Sequence, residues 1–184
     1  IAGGRNIAYS VGNATKVITF SYTVVNGDNS LDLDCSATTA LSLYGSTIKD
    51  ASGNDAALVL PTPGALGSLS FNKDINIDTT KPTIVAGYLD STNAFVNITF
   101  SEGVFGFSGT GAINLSDLQL TFAANGGSAT GVTMTSLVST AGGALVGGEK
   151  TVRAMLSVSG NISGVETILV KPLFNRIFDS AGNV

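Results

Sequence analysis

Histidine and tryptophan are absent from the 184 residues, and cysteine occurs once, at Cys35. Without an imidazole there is no Ser–His–Asp or Cys–His arrangement and no zinc site of the usual His-containing kind. A single thiol excludes an intramolecular disulfide. Charge is scarce as well: Asp, Glu, Lys and Arg make up 12% of the chain, where an average domain has about 25%. Lys and Arg number 9 and are scattered, so no phosphate-tracking surface forms and nucleic acid is excluded as a partner. Apolar runs such as residues 56–60 (AALVL) fall far short of the roughly 18 residues of a membrane-spanning helix, so no membrane insertion is expected. No basic stretch leads into an apolar one at Ile1, which is not Met, and the chain is expected to be a processed or excised piece.

What the chain does have is a 43% hydrophobic fraction set among Ser, Thr and 23 glycines, at a length that allows one large or two small domains with a real core. The hydrophobic residues alternate. KVITFSYTVV places Ile18, Phe20, Tyr22 and Val24 on one face, and FVNITFSE does the same with Val96, Ile98 and Phe100. DLQLTF offers Leu118, Leu120 and Phe122; GVTMTSLV offers Val132, Met134 and Ser136; TVRAMLSV offers Val152, Ala154, Leu156 and Val158. Period two is the mark of a half-buried strand. GNAT, NGDNS, DASGND, ANGGS and AGGALVGGE supply the turns between, and no sustained 3.6-residue period appears. The chain reads as all-β, with a sandwich as the expected architecture.

One internal repeat organises it. TIKDASGND (residues 47–55) and RIFDSAGNV (residues 176–184) share an Ile, an Asp shortly after it and a small-small-Gly-Asn turn. Between them IDTTKPT reads as a strand end and hinge, since Pro82 fixes its own φ and keeps its predecessor extended. Two units are therefore expected, 1–80 and 81–184.

The stretch from VITFSYTVV to IDTTKPT resembles the C-terminal part of a cadherin-like, Ig-like repeat found in tandem in very large extracellular surface and adhesin proteins, mostly bacterial. VNITFSEGV, LSDLQLTFAANGGSATGV, GVETILVKP and IFDSAGN resemble a sister repeat. The resemblance implies tandem seven-stranded β-sandwiches, an extracellular or cell-surface location, and an adhesive or structural role with no catalytic residue. Laid onto that order, IAYSV, KVITFSYTVV, ALSLYGSTI and KDINID are strands D to G of a first unit lacking its N-terminal strands. PTIVAGY, FVNITF, DLQLTF, GVTMTSLV, TVRAMLSV and ETILVKP are strands A to F of a second lacking its last. Half a sandwich leaves open edges. Either the chain is a window of a longer array, or copies of itself or adjacent repeats complete it through β-strand edges.

Carboxylates form the one group with chemistry in it. In an Ig-like order Asp78 of the linker, Glu102 at the end of a strand, Asp179 and Asn183 of the last turn, and Asp28 with Asp32 of an earlier loop are expected at one junction. Ca²⁺ accepts 6–8 oxygen ligands with tolerant geometry, unlike the rigid octahedron of Mg²⁺, and the resemblance favours an ion at a repeat junction. The competing reading is that these residues only bond the backbone of their own turns. Asp32 and Asp34 read as a solvated strand face or a second ligand pair, and Cys35 as a small buried hydrophobe or a reactive thiol.

Two acids across a sugar could suggest glycoside hydrolysis, but aromatics are only 7% of the chain, with no Trp to stack on a ring, and an enzyme is not expected. Two classes stay open. One is a spacer or assembly repeat of a surface filament, sheath or stalk; the other is a module binding carbohydrate, such as a cell-surface glycan. For the second, Phe105 and Phe107 in GVFGFSG are the apolar candidates, against the plainer reading that they pack under their loop. Sequons stand at Asn13, Asn97, Asn114 and Asn161, a number that chance explains.

Overall fold

The chain divides into two units, Ile1–Thr80 and Lys81–Val184. The computed structural model describes residues 4–184 apart from the side chain of Ser108, so residues 1–3 of the first expected unit lie outside the described residues.

In the first unit the alternating run at residues 16–25 yields far less strand than its pattern suggests. Only Thr19–Phe20 (β2) is extended and paired, against Tyr9–Val11 (β1). The side chains expected to face a core, Ile18, Phe20, Tyr22 and Val24, are 37–47% exposed. ALSLYGSTI and KDINID are not strands; near them stand single bridges, Lys49 to Asp55 and Ser30 to Ile77. Alternation alone does not make a strand, because its stabilisation comes from cross-strand partners and a covered face. Isolated backbone bonds such as Leu33 N–H to the Ile75 carbonyl and side chains bonded to backbone tie this unit's loops together. Ser68, for example, caps the single helical turn Leu69–Asn72 (α1) by accepting the Phe71 N–H at 3.2 Å.

The second unit has the strands expected from its alternating runs and from the Ig-like order. Ile84–Leu89 (β3), Phe95–Val104 (β4), Leu118–Ala123 (β5), Ala129–Ser139 (β6), Glu149–Gly160 (β7) and Thr167–Pro172 (β8) form the six expected strands. All pairings are antiparallel. One sheet has the order β3-β4-β7-β6 and the other β5-β8. Lettered A to F these are A-B-E-D and C-F, the constant-type immunoglobulin order without strand G among the described residues. Val96, Ile98, Phe100 and Val104 of β4 and Val152 and Ala154 of β7 meet Ile113, Leu118 and Ile177 in one buried core, with Ile168 and Val170 of β8 packed on it.

One inward position differs from expectation. Met134 lies opposite Leu156, but Ser136 lies opposite Met155, so the register slips by one residue at Thr135. This bulge turns Leu137, not Ser136, onto the core. Immediately before β5 the Asn114 side chain accepts the Ser116 N–H while Asp117 accepts the Asn114 N–H at 2.8 Å, a reciprocal cap that buries Asp117. No helix among the described residues is long and apolar enough to cross a membrane.

Candidate functional site

Beyond β4 the chain continues as Phe105, which pairs with Phe178; Phe105 N–H donates to the Phe178 carbonyl at 2.7 Å and Phe178 N–H returns the bond at 3.0 Å. This bridge lays the end of β4 beside the last turn of the second unit. A carboxylate oxygen of Glu102 and one of Asp179 therefore lie within 4.8 Å of each other.

Asp179 is fully buried. Its Oδ1 accepts the N–H groups of Ala181 at 2.8 Å and Asn183 at 2.9 Å, and Oδ2 accepts the Asn183 side-chain amide at 2.7 Å. A carboxylate has about four lone-pair sites, so three N–H donors leave Asp179 with acceptor capacity. Like charges at this range disfavour each other, and a cation held between the two carboxylates would relieve that. The donor set is all oxygen, and Ca²⁺ fits it better than a metal that prefers nitrogen or sulfur.

The sister turn is built the same way. Asp50 Oδ1 accepts the Ser52 and Asn54 N–H groups at 2.8 and 2.9 Å, and Oδ2 accepts the Asn54 amide at 2.8 Å. Backbone bonds match as well: Asp50 N–H to the Asn54 carbonyl, Asp179 N–H to that of Asn183, and a Gly N–H back to each Asp carbonyl. In both turns Asp organises the loop, Gly takes the positive φ (Gly53 +87°, Gly182 +88°) and Asn closes it.

Asp28 and Asp78 belong to the first unit. Asp78 Oδ1 accepts the Thr80 N–H at 2.8 Å. Asp28 is fully buried; its carboxylate takes Arg5 Nε at 2.5 Å, the Tyr22 hydroxyl and the Val25 N–H at 2.9 Å. These donors already supply its countercharge, so Asp28 is a structural anchor of its own unit and not a metal ligand of the expected kind. Burial raises its pKa, but Tyr22, Val25 and Arg5 outweigh that and hold it at about 2.

Asp34 also departs from expectation. It is no solvated strand face: its oxygens accept from Ser70 Oγ at 2.5 Å, Gly64 N–H at 3.0 Å and Cys35 N–H at 2.7 Å, which hold it well below the usual carboxylate range. Cys35 beside it is exposed, not buried, because its segment forms no strand. Phe105 rests against Gly147 and Gly148, whereas Phe107 is exposed and stands edge-to-face with Phe178, 6.3 Å between centroids. Among the sequons, Asn13 and Asn161 are exposed; Asn97 accepts Arg153 Nε at 3.0 Å and Asn114 is engaged in its cap.

Sequence reasoning missed Glu166. Its carboxylate gathers the N–H groups of Ala129, Ser163 and Gly164 at 2.9–3.1 Å and is held at about 2, chiefly by the Ala129 N–H. It lines a cavity of about 50 Å³ with Phe122, Val132, Leu156 and Ile168, a volume suited to a few waters. Lowered carboxylate pKa values carry a pH consequence. A group whose folded pKa lies below its unfolded value stabilises at high pH and loses that contribution as pH falls through the folded pKa. With Asp28 and Glu166 at about 2 from 3.8 and 4.5, the denaturant midpoint should stay level above about pH 5 and fall between about pH 4.5 and 2. Glu166→Gln should flatten that fall for the second unit; an unchanged profile would remove Glu166 as its source.

No protein-family model, no curated protein and no solved structure matches this chain.

Proposed function

We propose that the chain is a non-catalytic, extracellular structural repeat of a surface filament, sheath or adhesin stalk, holding length and assembling through β-sandwich units. The observation that carries this reading is the Asp-x-x-Gly-Asn turn, built with the same hydrogen bonds at Asp50 and at Asp179 in two successive units. Repeating one device in successive units is how arrays are made. The acids support the same reading: Asp28, Asp34, Asp50, Asp117, Asp179 and Glu166 each accept backbone N–H groups of turns or loops.

In this reading Glu102 and Asp179 share a Ca²⁺ ion, with water completing its shell, and the bound ion stiffens the chain. Whether Asp78 joins them, as the sequence led us to expect, is decided by Asp78→Asn: a third ligand predicts a clear loss of calcium affinity, a bystander none.

Assembly in this account uses strand edges. β3 is an edge of the larger sheet, and β5 and β8 are both edges of the smaller. In the first unit Tyr9, Val11, Val17 and Phe20 are exposed, and covering side chains of this kind is worth roughly 1.5–3 kcal/mol each. The isolated chain should therefore self-associate. Sedimentation should show a mass that rises with concentration, and Val17→Ser with Phe20→Ser should lower it; a wild type monomeric at every concentration would contradict edge assembly.

The function itself is tested by a glycan array probed with labelled chain in calcium. A spacer gives no saturable binding. Saturable binding to any glycan, lost on mutating Phe107 to Ser, would overturn the spacer reading in favour of a carbohydrate-binding module.

A further inference from the structure

The turn at residues 27–30 of the first unit is bonded at once to the unit's leading segment and to its exit. On the leading side Arg5 and the Tyr22 hydroxyl donate to the buried Asp28 carboxylate. On the exit side Thr79 Oγ1 donates to the Asp28 carbonyl at 3.0 Å and accepts the Gly27 N–H at 2.9 Å. Asn29 Oδ1 accepts the Thr79 N–H at 3.0 Å and the Thr80 hydroxyl at 3.2 Å. Ser30 and Ile77 exchange two backbone bonds of 2.8 Å. Polar groups of four consecutive residues, Gly27 to Ser30, thus reach across the unit to its last residues.

We infer that this turn is a clasp: it joins the front of the first unit directly to its exit, so that tension along the chain runs from Arg5 through Asp28 to Thr79 and bypasses the loops between. The inference stands on bonds inside the first unit and does not rest on the spacer reading. It explains why an acid is buried in a turn outside any strand. Asp28 is the point where the two ties meet, and each of its polar faces is taken by a different part of the chain. The same geometry accounts for a unit that is mostly loop yet closed. The load path crosses only a few bonds, and the long segment between Ser30 and Ile77 lies outside it.

Two lengths of chain are shielded in this way. The Arg5 tie spans 23 residues and the Thr79 tie 51. At roughly 3.3–3.6 Å per extended residue these correspond to about 80 Å and about 175 Å of hidden length.

The test is to pull the full chain by its ends in optical tweezers. The clasp predicts two release steps, of about 80 and about 175 Å, besides the step of the second unit, which serves as reference in every trace. Arg5→Gln should abolish the shorter step. Thr79→Val keeps Asp28 paired with Arg5 and removes two hydrogen bonds, so it should speed the longer release about tenfold at a given force and leave the shorter step alone. Amide exchange without load checks that each variant is folded, through the Leu33 N–H bonded to the Ile75 carbonyl. Steps unchanged in both folded variants, or a first unit that extends without steps, would overturn the clasp. A wild-type trace with both steps, each answering to its own substitution, would establish it.

Discussion

Phe100→Ala is expected to leave the second unit close to its unfolding threshold. Phe100 is among the largest fully buried side chains, at 0% exposure, and it sits in β4 between β3 and β7. Both neighbours are held by ladder hydrogen bonds, and Ile84 lies directly opposite on β3. The walls of the resulting cavity cannot close without breaking those ladders. Truncations of this kind cost about 3–5 kcal/mol, against a total of about 5–15 kcal/mol for a typical domain. Urea unfolding followed by circular dichroism should show the midpoint falling steeply with little change in slope. Tyr88→Ala on the exposed edge strand should move it by about 0.5 kcal/mol or less. A loss at Phe100 as small as that at Tyr88 would mean the core lies elsewhere.

The second large effect is expected at Gly147. Its φ is +97°, and a Cβ there would stand 2.5 Å from the Gly111 carbonyl oxygen and 3.0 Å from a ring carbon of Phe105. Alanine would carry about 1–3 kcal/mol of backbone strain and would also push apart two loops that meet with no side chain between them. The displaced segment includes the N–H that Gly147 donates to Glu149 at 2.9 Å. Gly142 is the natural comparison, since its φ is +88° but nothing lies within 4 Å of its Cβ position. Gly142→Ala should therefore show the conformational cost alone, and Gly147→Ala should exceed it by 2 kcal/mol or more, roughly the scale of overpacking. Equal losses at the two sites would show that the loops yield freely.

Four strands of the second unit were legible because they alternate and each found a partner, and the first and last, PTIVAGY and ETILVKP, were placed by the resemblance to an Ig-like order. Val96, Ile98 and Phe100 point inward where the pattern put them. The bulge at Thr135 was not legible, because an extra residue is set by the partner strand's register and leaves no local mark. In the first unit the same reading overreached: KVITFSYTVV alternates as cleanly as FVNITFSE, yet only two of its residues are extended and paired. Period two reports what a segment would do if flanked and covered, and those conditions are supplied by other segments.

The candidate site divides in the same way. Asp179 and Asn183 were legible from a short repeated spacing whose chemistry is local, and so was the turn around Asp50. Arg5 as the partner of Asp28 was not, because a contact 23 residues away follows no periodicity. Glu166 gave no signal either, since beside its own turn at Ser163 and Gly164 it takes the N–H of Ala129, the first residue of β6, 37 residues away. Acids that bond their own turn can be read from spacing; acids that tie distant segments need the fold.

In the function proposed above the acids are architectural and one pair of them, Glu102 and Asp179, is completed by calcium. Calorimetric titration of the chelator-stripped full chain with Ca²⁺ tests it most directly, with Glu102→Gln as the paired variant because Asp179 also holds its turn together. The account predicts a saturable site in the wild type, a higher melting temperature for the second unit when it is filled, and loss of both in Glu102→Gln while the fold without calcium is unchanged. Calcium that produces neither heat nor a melting shift, or that binds Glu102→Gln as it binds the wild type, would contradict it.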